Sequence, residues 1–247
     1  MSSKLAALAF LACVAAPNVR AADHELFTAV LRDHARAGLV DYAALASDER
    51  LTEYLASVAA TDPEAIDDER ERLAFWINAY NAFTLQLILE EQPRESIREI
   101  ERDDQGPWDI PFIRIRGKRH TLNEIEHQII RTEFSEPRIH MALVCAARSC
   151  PPLRTEAYRG RTLEEQLEDN TRRFLADSTQ NRYDPESATV SLSEIFSWFA
   201  EDFVAVYGSV EQFIRRYYPI EPGQELQLKY LPYDWSLNRA VAVGSTR

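Results

Sequence analysis

The chain has 247 residues, with 28 Lys and Arg against 40 Asp and Glu and a formal net charge of −12. That acidic balance repels phosphate backbones and argues against nucleic acid as a partner. Only seven glycines and a 28% share of charged residues suit a helix-rich domain better than a sandwich or barrel, at a length that fits one large domain or two small ones.

In chain order, residues 1–21 come first and read as a cleavable signal peptide. Lys4 supplies a basic start, Leu5 to Ala16 form a short apolar stretch, and Val19-Arg20-Ala21 carries a cleavage pattern. The stretch is well short of the roughly 20 residues needed to span a bilayer, and no later segment is apolar enough to do so. The expectation is one globular domain over 22–247, periplasmic or secreted. A lipid anchor on Cys13 is the weaker alternative, because Phe10 fits poorly at its −3 position. Cleavage would leave 26 basic against 40 acidic residues, a charge of −14, and would remove Cys13. Cys145 and Cys150 would remain. In an oxidising compartment they could pair, provided the chain turns between them.

Helical periodicity then marks 24–37, about 48–60 and about 65–91, the last around LAFWINAYNAFTLQLILE. Four S/T-x-x-E/Q boxes predict helix starts: Thr121 with Glu124, Thr162 with Glu165, Ser191 with Glu194, and Ser209 with Gln212. Phe112 to Leu122, turning at Gly117-Lys118, reads as a hairpin. Asn181–Asp184 and Thr189–Leu192 flank a turn at Pro185, and Leu226–Leu231 reads as a last strand. The predicted class is α+β, a mainly helical single domain with a few short antiparallel strands.

Several residues could carry chemistry. On the helix from Thr121, Glu126 falls inside the apolar stripe of Leu122, Ile125, Ile129 and Ile130, with His127 at its flank. A carboxylate facing a core needs a partner, and such groups cluster at functional sites. The alternative is a structural ion pair. Ile139 to Val144 is apolar apart from His140 and should run through the interior. Pro151-Pro152 after Cys150 suggests a helix start there, whose dipole would favour the Cys150 thiolate. Cys145, inside an apolar run, reads as core. Asn78 and Asn81 share one face of an apolar helix; they could polarise a bound carbonyl or tie down backbone. Tyr233 to Asn238 is a further polar and aromatic cluster, in which Asp234 could orient a His or cap a turn.

Phe75–Gln86, Thr121–Arg131, Arg138–Leu153 and Tyr230–Asn238 together resemble the domain-of-unknown-function family numbered 547, over roughly residues 48–238. The resemblance implies a shared fold and supplies no reaction.

The leading expectation is an exported cysteine-dependent hydrolase or acyl transferase, acting on peptide or amide bonds of the cell envelope. Cys150 would be its nucleophile, His140 or His127 the base, Glu126 the orienting acid, and Asn78 or Asn81 the substrate contact. No cofactor is expected. The rivals are a non-catalytic binding or scaffolding domain bridged through Cys145 and Cys150, and a metal-dependent enzyme drawing on His127, His140, Glu126 and Cys150. No HExxH or CxxC spacing supports the metal reading.

Overall fold

The computed structural model describes residue 22 and residues 24–240. Residues 1–21, on which the signal-peptide expectation and Cys13 fall, lie outside the described residues.

The first three predicted helices are present: α1 His24–His34, α2 Glu49–Ala60 and α3 Glu69–Glu91. α1 ends before Ala37, because Ala37 and Gly38 take positive φ (49° and 79°) and turn Ala35–Arg36 back onto Leu39–Val40. A Cβ at Gly38 would lie 3.0 Å from the Pro152 backbone, so glycine also allows a close approach there. Asp48 caps α2 and Asp68 caps α3 through side-chain bonds to first-turn N–H groups. α3 is buried on nearly every side from Leu73 to Ile88, which makes it the central helix of the main core.

The hairpin forms between β1 Ile113–Ile115 and β2 Lys118–His120. Its turn is Arg116-Gly117, with φ of 50° and 77°, the two-residue geometry that matches strand twist. The box at Thr121 is complete: Glu124 N–H donates to Thr121 Oγ1 at 2.9 Å, and Thr121 N–H donates to the Glu124 carboxylate at 3.1 Å. The helix it starts is wide, a π-helix over Glu124–Ile130 with one α-turn after it. Such π segments are rare and often sit at functional sites.

After a 3-10 turn at Pro137–Met141 the chain is buried and irregular to Leu153, and no helix follows Pro151-Pro152. α4 Leu163–Ala176 begins at Thr162 without a side-chain cap bond. β3 Arg182–Asp184 pairs antiparallel with β4 Thr189–Ser193, and β4 pairs parallel with β5 Gln227–Leu231. That parallel pair departs from the all-antiparallel expectation. Ser191 lies inside β4, so its predicted box is a strand segment, and the short helices α5 Ile195–Trp198, α6 Ala200–Tyr207 and α7 Val210–Ile214 follow. Ser209 does cap α7, accepting from Gln212 N–H at 3.0 Å.

The class is thus mainly helical α+β. A second apolar cluster, built on Phe174, Val190, Phe196, Phe203 and Phe213, packs beside the main one. Among the described residues no helix is long and apolar enough to cross a membrane.

Candidate functional site

A cavity of about 200 Å³ opens where the two apolar clusters meet. The main cluster contributes Tyr80, Leu143 and Cys145, the second contributes Ile195 and Phe199, and the π-helix adds Glu126 and His127. His140 lies between them, stacked on Phe199 with ring centroids 3.8 Å apart. Trp108, Trp198, Tyr233 and Trp235 complete the wall and contact one another. Trp198 leaves 46% of its surface exposed.

The cysteines belong to a tight loop rather than a helix start. Ala146 sits at φ 60°, and Cys150 N–H closes a turn onto Ala147 O at 3.1 Å. The C-terminal segment clamps this loop from outside: Arg148 N–H donates to Ser236 O, Ser149 N–H to Asp234 O, and Asn238 N–H to Ala146 O. Asn81 clamps the approach from inside, donating to Ala142 O and accepting from Val144 N–H, both at 2.9 Å. The folded-back loop brings the two sulfurs into contact at 2.7 Å. Cys145 faces the cavity; Cys150 sits behind it.

The two thiols differ in acidity. Burial raises the Cys150 pKa, but hydrogen bonds from Cys145, Tyr233 and neighbouring backbone N–H groups outweigh it and hold Cys150 below an ordinary thiol. Tyr233 Oη donates to Cys150 Sγ at 3.2 Å, and Cys145 N–H does so at 3.1 Å. Cys145 is pushed well above an ordinary thiol, because its proton bonds Cys150, its site is buried and a second sulfur charge would lie beside the first. This replaces the helix dipole expected for Cys150.

His140 is held by a residue far along the chain. Its Nε2 meets Asp202 Oδ2 at 2.7 Å, and Arg131 grips the same carboxylate at 2.7 and 2.8 Å. Burial raises the Asp202 pKa, but bonds to His140 and Arg131 win and keep it ionised far below the usual range. An ionised Asp202 can only accept, so His140 carries its proton on Nε2. Burial lowers the His140 pKa, which keeps the ring neutral near pH 7, and its buried Nδ1 has no protein partner among the described residues. That nitrogen is a free lone pair on a cavity-lining side chain.

His127 is also neutral: burial and Arg131 both lower its pKa, and Arg131 Nη1 donates to its Nδ1 at 2.9 Å. Glu126 is buried, as the apolar stripe predicted. Burial pushes its pKa up to about 7, against the opposing pull of a hydrogen bond from Tyr80 and the charge of Arg131. Glu126 therefore bonds Tyr80, while Asp202 is the carboxylate that orients a histidine.

The site thus brings Glu126, His127, His140 and Cys145 to one cavity and leaves Cys150 one layer back. It does not bring Asn78 or Asn81 there. Both Asn78 amide atoms are spent on Tyr158 backbone at 2.8 Å, and Asn81 is spent as described, so the expected substrate contact is corrected to a backbone tie. Asp234 caps its own turn, accepting from Ser236 N–H and Oγ. Among the described residues no three His, Cys, Asp or Glu are grouped to hold a metal, so the ligand set of the metal-dependent reading is not assembled. Asp202 escaped sequence reading because nothing near it in the chain marks it. Tyr233 stood within a flagged cluster.

Residues 63–175 match the model of a family described as "Protein of unknown function, DUF547". No curated protein and no solved structure matches the chain. The matched segment contains α3, the π-helix and both cysteines, while Asp202, Trp198 and Tyr233 lie beyond it. That match falls on the family that the motifs resemble, over residues 63–175.

Proposed function

We propose that the protein is an exported cysteine-dependent hydrolase or acyl transferase, and that Cys145 rather than Cys150 is its nucleophile. The observation that carries this is the free Nδ1 of an Asp202-held His140 in the same cavity as the Cys145 thiol. A nucleophile, its base and an orienting third group are the parts thiol catalysis needs. Cys145 Sγ would turn its proton from Cys150 toward His140 Nδ1, lose it there and attack the substrate carbonyl carbon. The leaving group would take that proton as the bond to it breaks, giving a thioester. Water, or another acyl acceptor, would then attack the thioester with its proton passing to Nδ1, and the thiol would be regenerated. Glu126, whose carboxyl burial raises to about 7, lines the same cavity. Amide bonds of the cell envelope suit the proposed export.

The test is acyl-enzyme formation with a panel of activated esters and amides, followed by intact mass. Cys145→Ala and His140→Ala should each lose at least about a hundredfold in rate, and Asp202→Asn about as much with little change in KM. The His140 pKa, followed by NMR, should fall further in Asp202→Asn, since that carboxylate raises it. Full activity in Cys145→Ala would end the proposal. N-terminal sequencing of recovered protein tests export: a start at Ala22 supports it.

The contact of the two sulfurs favours a second reading, a non-catalytic binding or scaffolding domain with a permanent bridge. Thiol titration of denatured, unreduced protein separates the two. Two free thiols beyond Cys13 count against the bridge.

A further inference from the structure

The cysteine loop has two faces. Cys145 lines the cavity of His140 and Glu126, while Cys150 lines a separate cavity of about 290 Å³ on the far side. That second cavity is walled by the Gly38 turn, Pro152 and Asn238, with Arg148 and Arg173 at its rim. The two sulfurs that line these separate cavities touch one another.

We infer that Cys145 and Cys150 form a reversible dithiol–disulfide couple, and that an anionic low-molecular-weight disulfide enters through the second cavity to react at Cys150. Rested on the catalytic reading of Cys145, this makes oxidation an off state applied from the face opposite the substrate. The chemistry is two exchanges. Cys150, as thiolate, attacks one sulfur of the incoming disulfide R–S–S–R; the Cys150–S–R bond forms and R–S⁻ leaves to take a proton. Cys145 then gives up its proton and attacks Cys150 Sγ, expelling the second R–S⁻, which is protonated in turn. Two protein thiols are oxidised and one disulfide is reduced to two R–SH. The order follows from the site. Cys150 receives hydrogen bonds from Tyr233 and from Cys145 N–H that stabilise its thiolate, and Cys145 is already in contact to resolve the mixed disulfide without a backbone rearrangement. Among the charged side chains lining this cavity Arg173 is paired with Asp169 and Asp177 is acidic, so Arg148 is the group that favours a carboxylate-bearing disulfide over a neutral one.

The probe is glutathione disulfide, applied to the full chain across a series of glutathione redox buffers, with acid quench, alkylation and tryptic mass spectrometry. Cleavage after Arg148 separates the cysteines, so a bridge appears as peptides 139–148 and 149–154 joined, distinct from anything on Cys13. The expected result is that joined pair, reversed by dithiothreitol. Cys145→Ser should trap glutathione on Cys150, and Cys150→Ser should label at Cys145 at least tenfold more slowly. Arg148→Glu, a surface change, should slow oxidation by glutathione disulfide several-fold and leave oxidation by neutral hydroxyethyl disulfide unchanged. Absence of the joined peptides at every redox ratio, or equal labelling of the two cysteine variants, would overturn the inference. The wild-type peptide readout stands if a variant fails to fold, and none of these readings depends on turnover, so failure of the catalytic proposal would be seen separately.

Discussion

Glu126 is the most informative single residue. Its carboxyl is raised from 4.5 to about 7 by burial, so the folded protein binds a proton there that the unfolded chain has released. The stability linked to that proton is complete below about pH 4.5 and is lost as pH rises through about 7. His127 and His140 act in the opposite sense. Their pKa values are lowered, so their linked stability is present above about 6.5 and declines as pH falls. Glu126→Gln keeps a group that can accept from Tyr80 and removes the carboxyl titration. Denaturant unfolding between about pH 5 and about pH 8 should show the variant gaining on wild type as pH rises, by up to about 3 kcal/mol at the upper end. A constant difference between the two proteins across that range would mean that Glu126 is ionised throughout.

At the scale of elements, the capping boxes show how far a local motif reaches. All four have the same sequence form, yet only Thr121 and Glu124 exchange both bonds. Ser209 makes one, Thr162 makes none, and Ser191 is claimed by strand pairing with Arg182 and Lys229. The sheet overrides the box because a strand flanked on both sides satisfies every backbone group of Ser191, whereas a cap satisfies one. Thr121→Ala should therefore cost about 1–2 kcal/mol, and Thr162→Ala less than about 0.5 kcal/mol, by urea unfolding. Equal losses would show that Thr162 does cap α4 in solution. The Thr121 cap matters beyond stability, because the helix it starts carries Glu126 and His127.

For the whole molecule, the decisive feature is the seam between two apolar clusters. Neither cluster alone makes the cavity: α3 and the π-helix supply Tyr80, Glu126 and His127, and α5 supplies Ile195 and Trp198, while Asp202 on α6 holds His140 from behind. The chain from Ala142 to Cys150 threads between them and is held by Asn81 on one side and residues 234–238 on the other. Asn81→Ala would leave two buried backbone groups without partners, a loss of about 2–4 kcal/mol in denaturant unfolding. If Asn81 instead served substrate, the variant would keep its stability and lose only KM or rate.

Much of this was legible in the residue order. The helices near 48–60 and 65–91 (the second starting four residues later, at Glu69), the hairpin about Gly117 (its turn one residue earlier than read), the inward-facing Glu126 and the buried run at His140 all rest on bonds or periodicities spanning a few residues, which local sequence determines. What required the tertiary structure spans longer distances. His140 finds Asp202 62 residues away, Tyr233 reaches Cys150 across 83, and β4 takes β5 as a parallel neighbour. Which cysteine faces the cavity is likewise settled by how the loop is clamped at 234–238, since a spacing of five residues allows either. Residue order therefore picked out most of the polar groups of the candidate site, and packing decided which of them share a cavity: side-chain type is local, but proximity depends on which distant surfaces bury one another.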